Sequence, residues 1–307
     1  MEGAMQIRNF AQLLEAAIQR GPARVAVAAA DEANTLAAVA KARDLGLATA
    51  VLFGDEAAIR QAAESAGVDI GGLTVVHVPN HKESVRAAVA AIKDGLADMA
   101  MNGRALPGHL VRVALEPEMQ LRTGKLFTDV SIFEIPGADR LILISDIGVV
   151  VSPTLEEKVS IVQNAIDVAR ALGIETPKVA ILAATEMVNP KIPVSMDASN
   201  LSKMAQRGQI KGGIVDGPLA LDNAISPHAA RVKGIQSEVA GHADILIVPD
   251  VDAGNILAKA ITYFARGKMA GVVVGSRSPL IMPSRADPPE TKLMSIALGV
   301  YLAMPPK

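Results

Sequence analysis

The feature that most constrains this chain is a repeated change of hydrophobic period. Short β-rich runs alternate with longer segments whose apolar residues step by three or four. "RVAVAAA" (Arg24 to Ala30) is followed by the helical "TLAAVAKARDLG", then by "LATAVLFGD", "EAAIRQAAESAG" and "LTVVHVP". "GLADMAMNG" (Gly95 to Gly103) continues the series, and Gly or Pro punctuates most joins. Such alternation predicts parallel sheets covered by helices.

A second series begins near Leu141 with "LILISD". The clearest helix follows, in "SPTLEEKVSIVQNAIDVARALG", where Leu155, Val159, Val162, Ile166, Ala169 and Leu172 share a face. Thr154 and Glu157 have the spacing of a capping box, and Gly173 suits the stop. "KVAILAA", "GGIVDG", "ADILIVPD" and "AGVVVGS" read as further strands, with helix candidates between them that include "DAGNILAKAITYFARG". The last segment, Glu290 to Met304, aligns Leu293, Ile296, Ala297, Val300 and Tyr301. Two α/β blocks result, dividing around Phe133 to Leu141. The pattern alone leaves the closing helix free to join either.

Composition narrows the function. Half of the residues are apolar and the net charge is -2, so general attraction to nucleic acid or a membrane surface has no support. With no Trp, two Tyr and five Phe, there is little from which to build a base-stacking platform. The absence of Cys excludes disulfides, thiolate metal sites and a cysteine nucleophile. No apolar run approaches the ~18–20 residues that span a bilayer, and the start lacks an apolar signal core. A soluble cytoplasmic protein is expected.

In open α/β sheets ligands gather at the carboxyl ends of strands. Ser145 and Asp146, Asp216, Pro249 and Asp250, and Ser276 and Arg277 close predicted strands. The same residues are also ordinary turn formers. "LRTGK" (Leu121 to Lys125) offers Arg122 as a fork, Thr123 as a donor and Lys125 as a point charge for phosphate oxygens. It lacks the long Gly-rich approach of a P-loop. Arg104, in "NGRALPG", follows another strand end. The five His are scattered, and HExxH, G-x-S-x-G and a strand-following G-x-G-x-x-G are all missing. A Ser-His-Asp hydrolase, a His-ligated metal site and a Rossmann dinucleotide enzyme are therefore disfavoured.

"PSRADPPETKLM" (Pro283 to Met294) is the densest cluster. Asp287, two prolines and Glu290 have the form of an N-cap, a first-turn proline pair and the third-position acid of a capping box. Prolines remove N–H groups from the helix start, so an anion here must be held by the side chains of Ser284 and Arg285.

These segments resemble the phosphate acetyltransferase/phosphate butyryltransferase family, and its butyryltransferase branch most. The resemblance runs through "LRTGK", "SPTLEEKVSIVQNAIDVARALGI", "PKVAILAATEMVNPKIP", "LSKMAQRGQIKGGIVDGPLALDNAIS", "ADILIVPDVDAGNILAKAITYFA" and "AGVVVGSRSPLIMPSRADPPETKLMSIAL". It implies two α/β domains with a cleft between them, in the isocitrate/isopropylmalate dehydrogenase-like architecture. The first would hold residues 1–135 plus 285–307, the second 136–284. It also implies a homodimer or larger homo-oligomer. The implied reaction is acyl-CoA plus phosphate giving acyl phosphate plus CoA, by direct transfer in a ternary complex, with no cofactor and no metal.

On this resemblance Ser284 and Arg285 are catalytic. Glu290 is the base toward the CoA thiol, one position short of the acetyltransferase acid, and Asp287 is the fallback. Arg122, Thr123 and Arg285 would bind phosphate. Arg104, Ser145, Asp146, Asp216, Asp250 and Asn255 would line the substrate and CoA cleft. One departure stands out: Asn102 occupies a place where Lys is usual in butyryltransferases, and Pro107 stands near a usual Thr. A butyryl-like acyl group is expected, with acetyl specificity or a non-catalytic homologue that binds acyl-CoA or acyl phosphate as alternatives.

Overall fold

A computed structural model describes residues 6–305. The chain is a mixed α/β protein that divides into two compact units. The first unit comprises Phe10–Phe127 and the described residues from Met269 onward. The second comprises Thr128–Lys268 and the described residues before Phe10.

The first unit opens with α1 (Phe10–Arg20), β1 (Ala23–Ala28), α2 (Ala33–Asp44), β2 (Ala48–Gly54) and α3 (Glu56–Ser65). It continues through β3 (Thr74–His77), α4 (His81–Lys93), β4 (Met99–Asn102) and α5 (Pro107–Ala114). The second unit carries β5 (Thr128–Glu134), β6 (Ile142–Ser145), α6 (Leu155–Ala171), β7 (Lys178–Leu182) and α7 (Pro193–Gln206). After these come β8 (Ile214–Leu219), α8 (Leu221–Ile225), α9 (Pro227–Val232), β9 (Ile245–Ile247) and α10 (Val251–Lys259). The chain then returns to the first unit with β10 (Lys268–Val274), β11 (Leu280–Ile281) and α11 (Pro289–Ala303).

Strand order in the first unit is β3-β2-β1-β4-β11-β10. All neighbours are parallel except the β10–β11 hairpin. The register Ala28↔Asn102 and Met101↔Ile281 brings the carboxyl ends of β1, β4 and β11 to one edge. In the second unit the order is β5-β6-β9-β7-β8, parallel except for the β5–β6 pair.

The core is built from small and branched residues, as the scarcity of aromatics requires. On β1, Ala23, Val25, Ala26, Val27 and Ala28 are at most 1% exposed, a run typical of a parallel strand covered on both faces. α6 follows its sequence signals closely. The Thr154 side chain accepts the Glu157 N–H, and the Glu157 carboxylate returns to the Thr154 N–H at 2.8 Å. Gly173 ends the helix in the left-handed region at φ 89.

The chain returns to the first unit at Met269 rather than at 285. "AGVVVGS" was expected in the second domain. Hydrogen bonding explains its place, because β10 pairs with β11 and β11 lies parallel to β4. The residues before Phe10 join the second unit, where the Ile7 N–H donates to the Leu172 carbonyl at 2.9 Å. No helix among the described residues is long and apolar enough to cross a membrane.

Candidate active site

The first unit's shared strand edge carries the Ser284–Asp287 turn, directly after β11. The Asp287 carboxylate accepts the Ser284 N–H at 2.8 Å, and the Ser284 carbonyl accepts the Asp287 N–H at 3.0 Å. Asp287 is buried, Ser284 half-buried, and Arg285 and Glu290 exposed. This corrects the capping-box expectation. Pro288, not Asp287, is the N-cap residue of α11, and no side chain caps the helix. Asp287 is turned back onto Ser284 instead. The consequence drawn from the prolines stands, since Pro288 and Pro289 have no N–H to offer an anion.

Beneath this turn lies an ion pair that sequence reasoning missed. Lys292, on the first turns of α11, is fully buried. Its Nζ donates to Glu32 Oε2 at 2.5 Å and to Thr35 Oγ1 at 3.1 Å. Glu32 is the N-cap of α2 and accepts the N–H groups of Asn34 and Thr35 at 3.0 and 2.9 Å. Burial would raise the Glu32 carboxyl. Hydrogen bonds from Lys292 and Thr35, with the Lys292 charge, outweigh it and hold the group below the usual carboxylate range. Asn34 Nδ2 also donates to the Asp287 carbonyl at 3.3 Å.

At the ends of β1 and β4 the two departures acquire a structural place. Asn102 is fully buried, and its Nδ2 donates to the Ala105 carbonyl at 2.8 Å, closing the turn out of β4. Its Oδ1 is buried without a partner. Pro107 begins α5. Arg104 Nη1 lies 3.4 Å from Asp31 Oδ2, and His81 Nε2 lies 3.1 Å from Asp31 Oδ1. The exposed Arg104 therefore balances a largely buried carboxylate at the strand edge.

"LRTGK" packs elsewhere. The Thr123 hydroxyl donates to the Gly275 carbonyl at 2.5 Å and accepts the Lys125 N–H at 3.3 Å. Arg122 forms an antiparallel bridge with Ser276, and the Arg277 N–H donates to the Leu121 carbonyl at 2.8 Å. Gly275 makes this approach possible. It sits at φ 95, and a Cβ there would come within 2.1 Å of the Leu126 carbonyl oxygen. Arg122 and Thr123 thus lie against the turn entering β11, whereas Ser284 and Arg285 lie on the turn leaving it. Thr123's hydroxyl proton is engaged by a carbonyl, so as placed it holds the loop and does not present a donor.

In the second unit, Ser145 and Asp146 end β6. Ser145 Oγ donates to the Asp129 carbonyl at 2.5 Å. The Asp146 carboxylate accepts the N–H groups of Asp129, Gly148 and Val149 at 2.9, 2.8 and 2.8 Å. Asp129 is buried with its Oδ1 accepting the Ser131 hydroxyl at 2.8 Å. Burial, and then the charge of Asp146, push the Asp129 carboxyl up to about 8. Burial also raises Asp146, but its backbone donors favour the charged form. Burial beside a second carboxylate thus favours the neutral form of Asp129.

Asp250 caps α10 by accepting the Ala253 N–H at 2.9 Å, and the Val248 N–H donates to the Ser145 carbonyl. Asp250 and the Ser145–Asp146 pair thus share one edge, with Asn255 exposed on α10. Asp216 does not belong with them. β8 runs on to Leu219, so Asp216 lies within the strand and not at its end. It lines a cavity of about 660 Å³ with residues that include Ser202, Gln206, Gln236 and Glu238. Among the described residues, no group of three or more His, Asp or Glu could hold a metal ion.

Residues 9–86 and 79–300 match the family described as "Phosphate acetyl/butaryl transferase". The chain belongs to this family. It is 43% identical to the phosphate butyryltransferase of Clostridium acetobutylicum, over 97% of this chain and 99% of that protein. It is 46% identical to the phosphate acetyltransferase of Thermotoga maritima, over 95% of this chain and 99% of that protein. The crystal structure of a branched-chain phosphotransacylase from Enterococcus faecalis superposes with a TM-score of 0.81. That match has 29% identity and covers 92% of this chain and 99% of the other.

Within the phosphate acetyl/butaryl transferase family, names of both kinds occur at similar identity, so similarity alone does not rank acyl groups. The residues that sequence reasoning missed are Glu32, Lys292 and Asp129. Glu32 carried one usable signal, an acid directly before a helical pattern, although Glu is an uncommon N-cap. Lys292 carried the other, a lone cation among apolar residues of the closing helix.

Proposed function

We propose that this chain is a phosphate acyltransferase that moves a short acyl group between CoA and orthophosphate. The observation that carries this is the Ser284–Asp287 turn of a family member. It presents an exposed guanidinium and a hydroxyl at a helix start where two prolines remove two of the backbone donors. A phosphate oxygen attacks the thioester carbonyl carbon, and the carbon–sulfur bond breaks from the resulting tetrahedral intermediate. The acyl group leaves on phosphate, and the thiolate takes up a proton.

Arg285 holds the phosphate dianion and lowers its repulsion with the developing oxyanion. Ser284 Oγ–H donates to that oxyanion or to the departing sulfur. Glu290, exposed on the first turn of α11, carries the thiol proton. We assign Asp287 to the turn rather than to the proton, because its carboxylate is buried and engaged by Ser284. Arg122 supplies a further cation for phosphate or CoA, and Arg104, exposed on the same unit, is a candidate for CoA contact, whereas Ser145 and Asp146 are buried and bonded to backbone and are assigned none. Resident metals or redox cofactors have no step in this scheme.

The reading includes the isocitrate/isopropylmalate dehydrogenase-like architecture that the resemblance implies, and a cytoplasmic location. It also includes self-association. Ile256, Tyr263 and Phe264 are 69%, 68% and 89% exposed on α10 and the turn after it, and a second copy would cover them. Butyryl-like substrates are our first choice. The 46% identity with the Thermotoga maritima acetyltransferase supports acetyl as a second reading of the same site.

The test is phosphate- or arsenate-dependent release of free thiol from acetyl-, propionyl- and butyryl-CoA, with and without a chelator. Release that survives the chelator supports the reading, and the kcat/KM series ranks the acyl groups. A pocket separates one methylene by only ~1–3 kcal/mol, so a graded preference is expected. No release from any of the three overturns it.

A further inference from the structure

The Ser284–Asp287 turn has no regular element of its own. It hangs between a strand of two residues and a helix whose N-cap is a proline with no side-chain cap. The hydrogen bond that opens α11, from the Lys292 N–H to the Pro288 carbonyl, is long at 3.3 Å. Something else must set where α11 begins, and hence where Arg285 and Glu290 stand.

Lys292 is the residue that reaches out of this helix start. Its ammonium is fully buried, yet it meets Glu32 at 2.5 Å and Thr35 at 3.1 Å, both on the first turn of α2. Glu32 is itself fixed, by the Asn34 and Thr35 N–H groups and by the Thr35 hydroxyl at 2.5 Å. Asn34, on the same turn of α2, donates to the Asp287 carbonyl. The amino-terminal ends of α2 and α11 are thus fastened at two points, one on each side of Pro288.

An apolar side chain of similar length would fill the space as well. Replacing a buried ion pair by packed apolar groups is often neutral for stability. What the pair adds is direction, because a hydrogen-bonded ammonium has one place to sit and a hydrocarbon has several.

We propose that Lys292 is a positioning residue, which sets the register of α11 against α2 through Glu32 and so holds Ser284, Arg285 and Glu290 in the geometry of acyl transfer. The proposal rests on the acyltransferase reading. A displacement of about 1 Å at a reacting centre lowers turnover about a hundredfold, so the expected loss lies between tenfold and that figure.

Two variants test it, Lys292→Met and the neutral pair Glu32→Gln/Lys292→Met. Lys292→Met should lower kcat at least tenfold at saturating acyl-CoA and phosphate, and should speed amide exchange at Ser284 and Asp287. The double variant should recover thermal stability without recovering kcat. Recovery of both together, or a folded Lys292→Met protein with wild-type kcat and unchanged exchange, would overturn the inference. Should Lys292→Met fail to fold, the double variant decides by the same criteria. An inactive wild-type protein would remove the functional reading alone. Amide exchange would then decide the positioning role, with faster exchange supporting it and unchanged exchange refuting it.

Discussion

Asp287 accepts the backbone N–H of Ser284 at 2.8 Å, and Ser284 accepts that of Asp287 at 3.0 Å, so two residues three apart close a turn on each other. Arg285 occupies the exposed arm of that turn. The arrangement separates two roles that a carboxylate beside Arg285 can have. An Asp that holds the turn needs only an acceptor oxygen, which Asn also provides. An Asp that moves a proton needs its charge. Asp287→Asn is therefore expected to keep its urea midpoint and most of its turnover. Asp287→Ala leaves the Ser284 N–H without its acceptor and should lose ~1–3 kcal/mol of stability. A stable Asp287→Asn protein with turnover lowered a hundredfold or more would return Asp287 to the chemistry.

Arg285 is exposed and lies on a turn whose helix start supplies no proline N–H to an anion. Phosphate binding there depends on the side chain. Arg285→Ala is expected to lower kcat/KM about a hundredfold, the scale for loss of one preorganised donor to a developing charge. Arg285→Lys should recover only part of this, because a point charge cannot reproduce the guanidinium fork. Unfolding midpoints of both variants should stay near wild type, since the removed group is exposed. A wild-type rate in Arg285→Ala would remove this residue from the site.

Glu290 has lost its structural alibi. A capping role would have made Glu290→Gln a stability variant, but α11 has no side-chain cap. The expected outcome is an unchanged melting temperature with turnover reduced by about 10²–10⁴-fold in the direction that deprotonates the CoA thiol. Unchanged turnover would leave the proton to another group.

Much of the fold was legible because its signals are local. α6 announced itself by period, capping box and terminal Gly, and all three are present. Most strands of both blocks stood out as apolar runs between turn residues, but β5 and the two-residue β11 did not. What stayed hidden depends on pairing across distance. The place of β11 is set by its pairing with β4, where Leu280 meets Ala100 from far earlier in the chain, and β10 follows through its pairing with β11. The same holds at the site. Ser284 and Arg285 were visible as an odd pair before two prolines. Asp287 was misread as a cap because its local spacing fits one, whereas its partner lies backwards along the chain. Glu32 and Lys292 could not be joined from sequence, since nothing local links residues 260 apart.

The Asp129–Asp146 pair supplies a prediction about pH. Burial and the neighbouring Asp146 charge raise the folded-state Asp129 carboxyl to about 8, against about 3.9 for an unperturbed Asp. Below the unfolded value both states carry the proton, and the pair imposes no penalty. As pH rises, the unfolded chain releases its proton first. The folded chain then keeps a proton the unfolded chain has lost, so stability falls until the pH passes about 8. Asn at this position is neutral at every pH and keeps an oxygen for the Ser131 hydroxyl. Asp129→Asn should therefore gain melting temperature relative to wild type as the pH is raised from 5 to 9, with little difference near pH 4. Differential scanning calorimetry across that range checks it. A difference that stays flat with pH would mean that Asp129 is already ionised in the folded protein, and that a cation or water balances it.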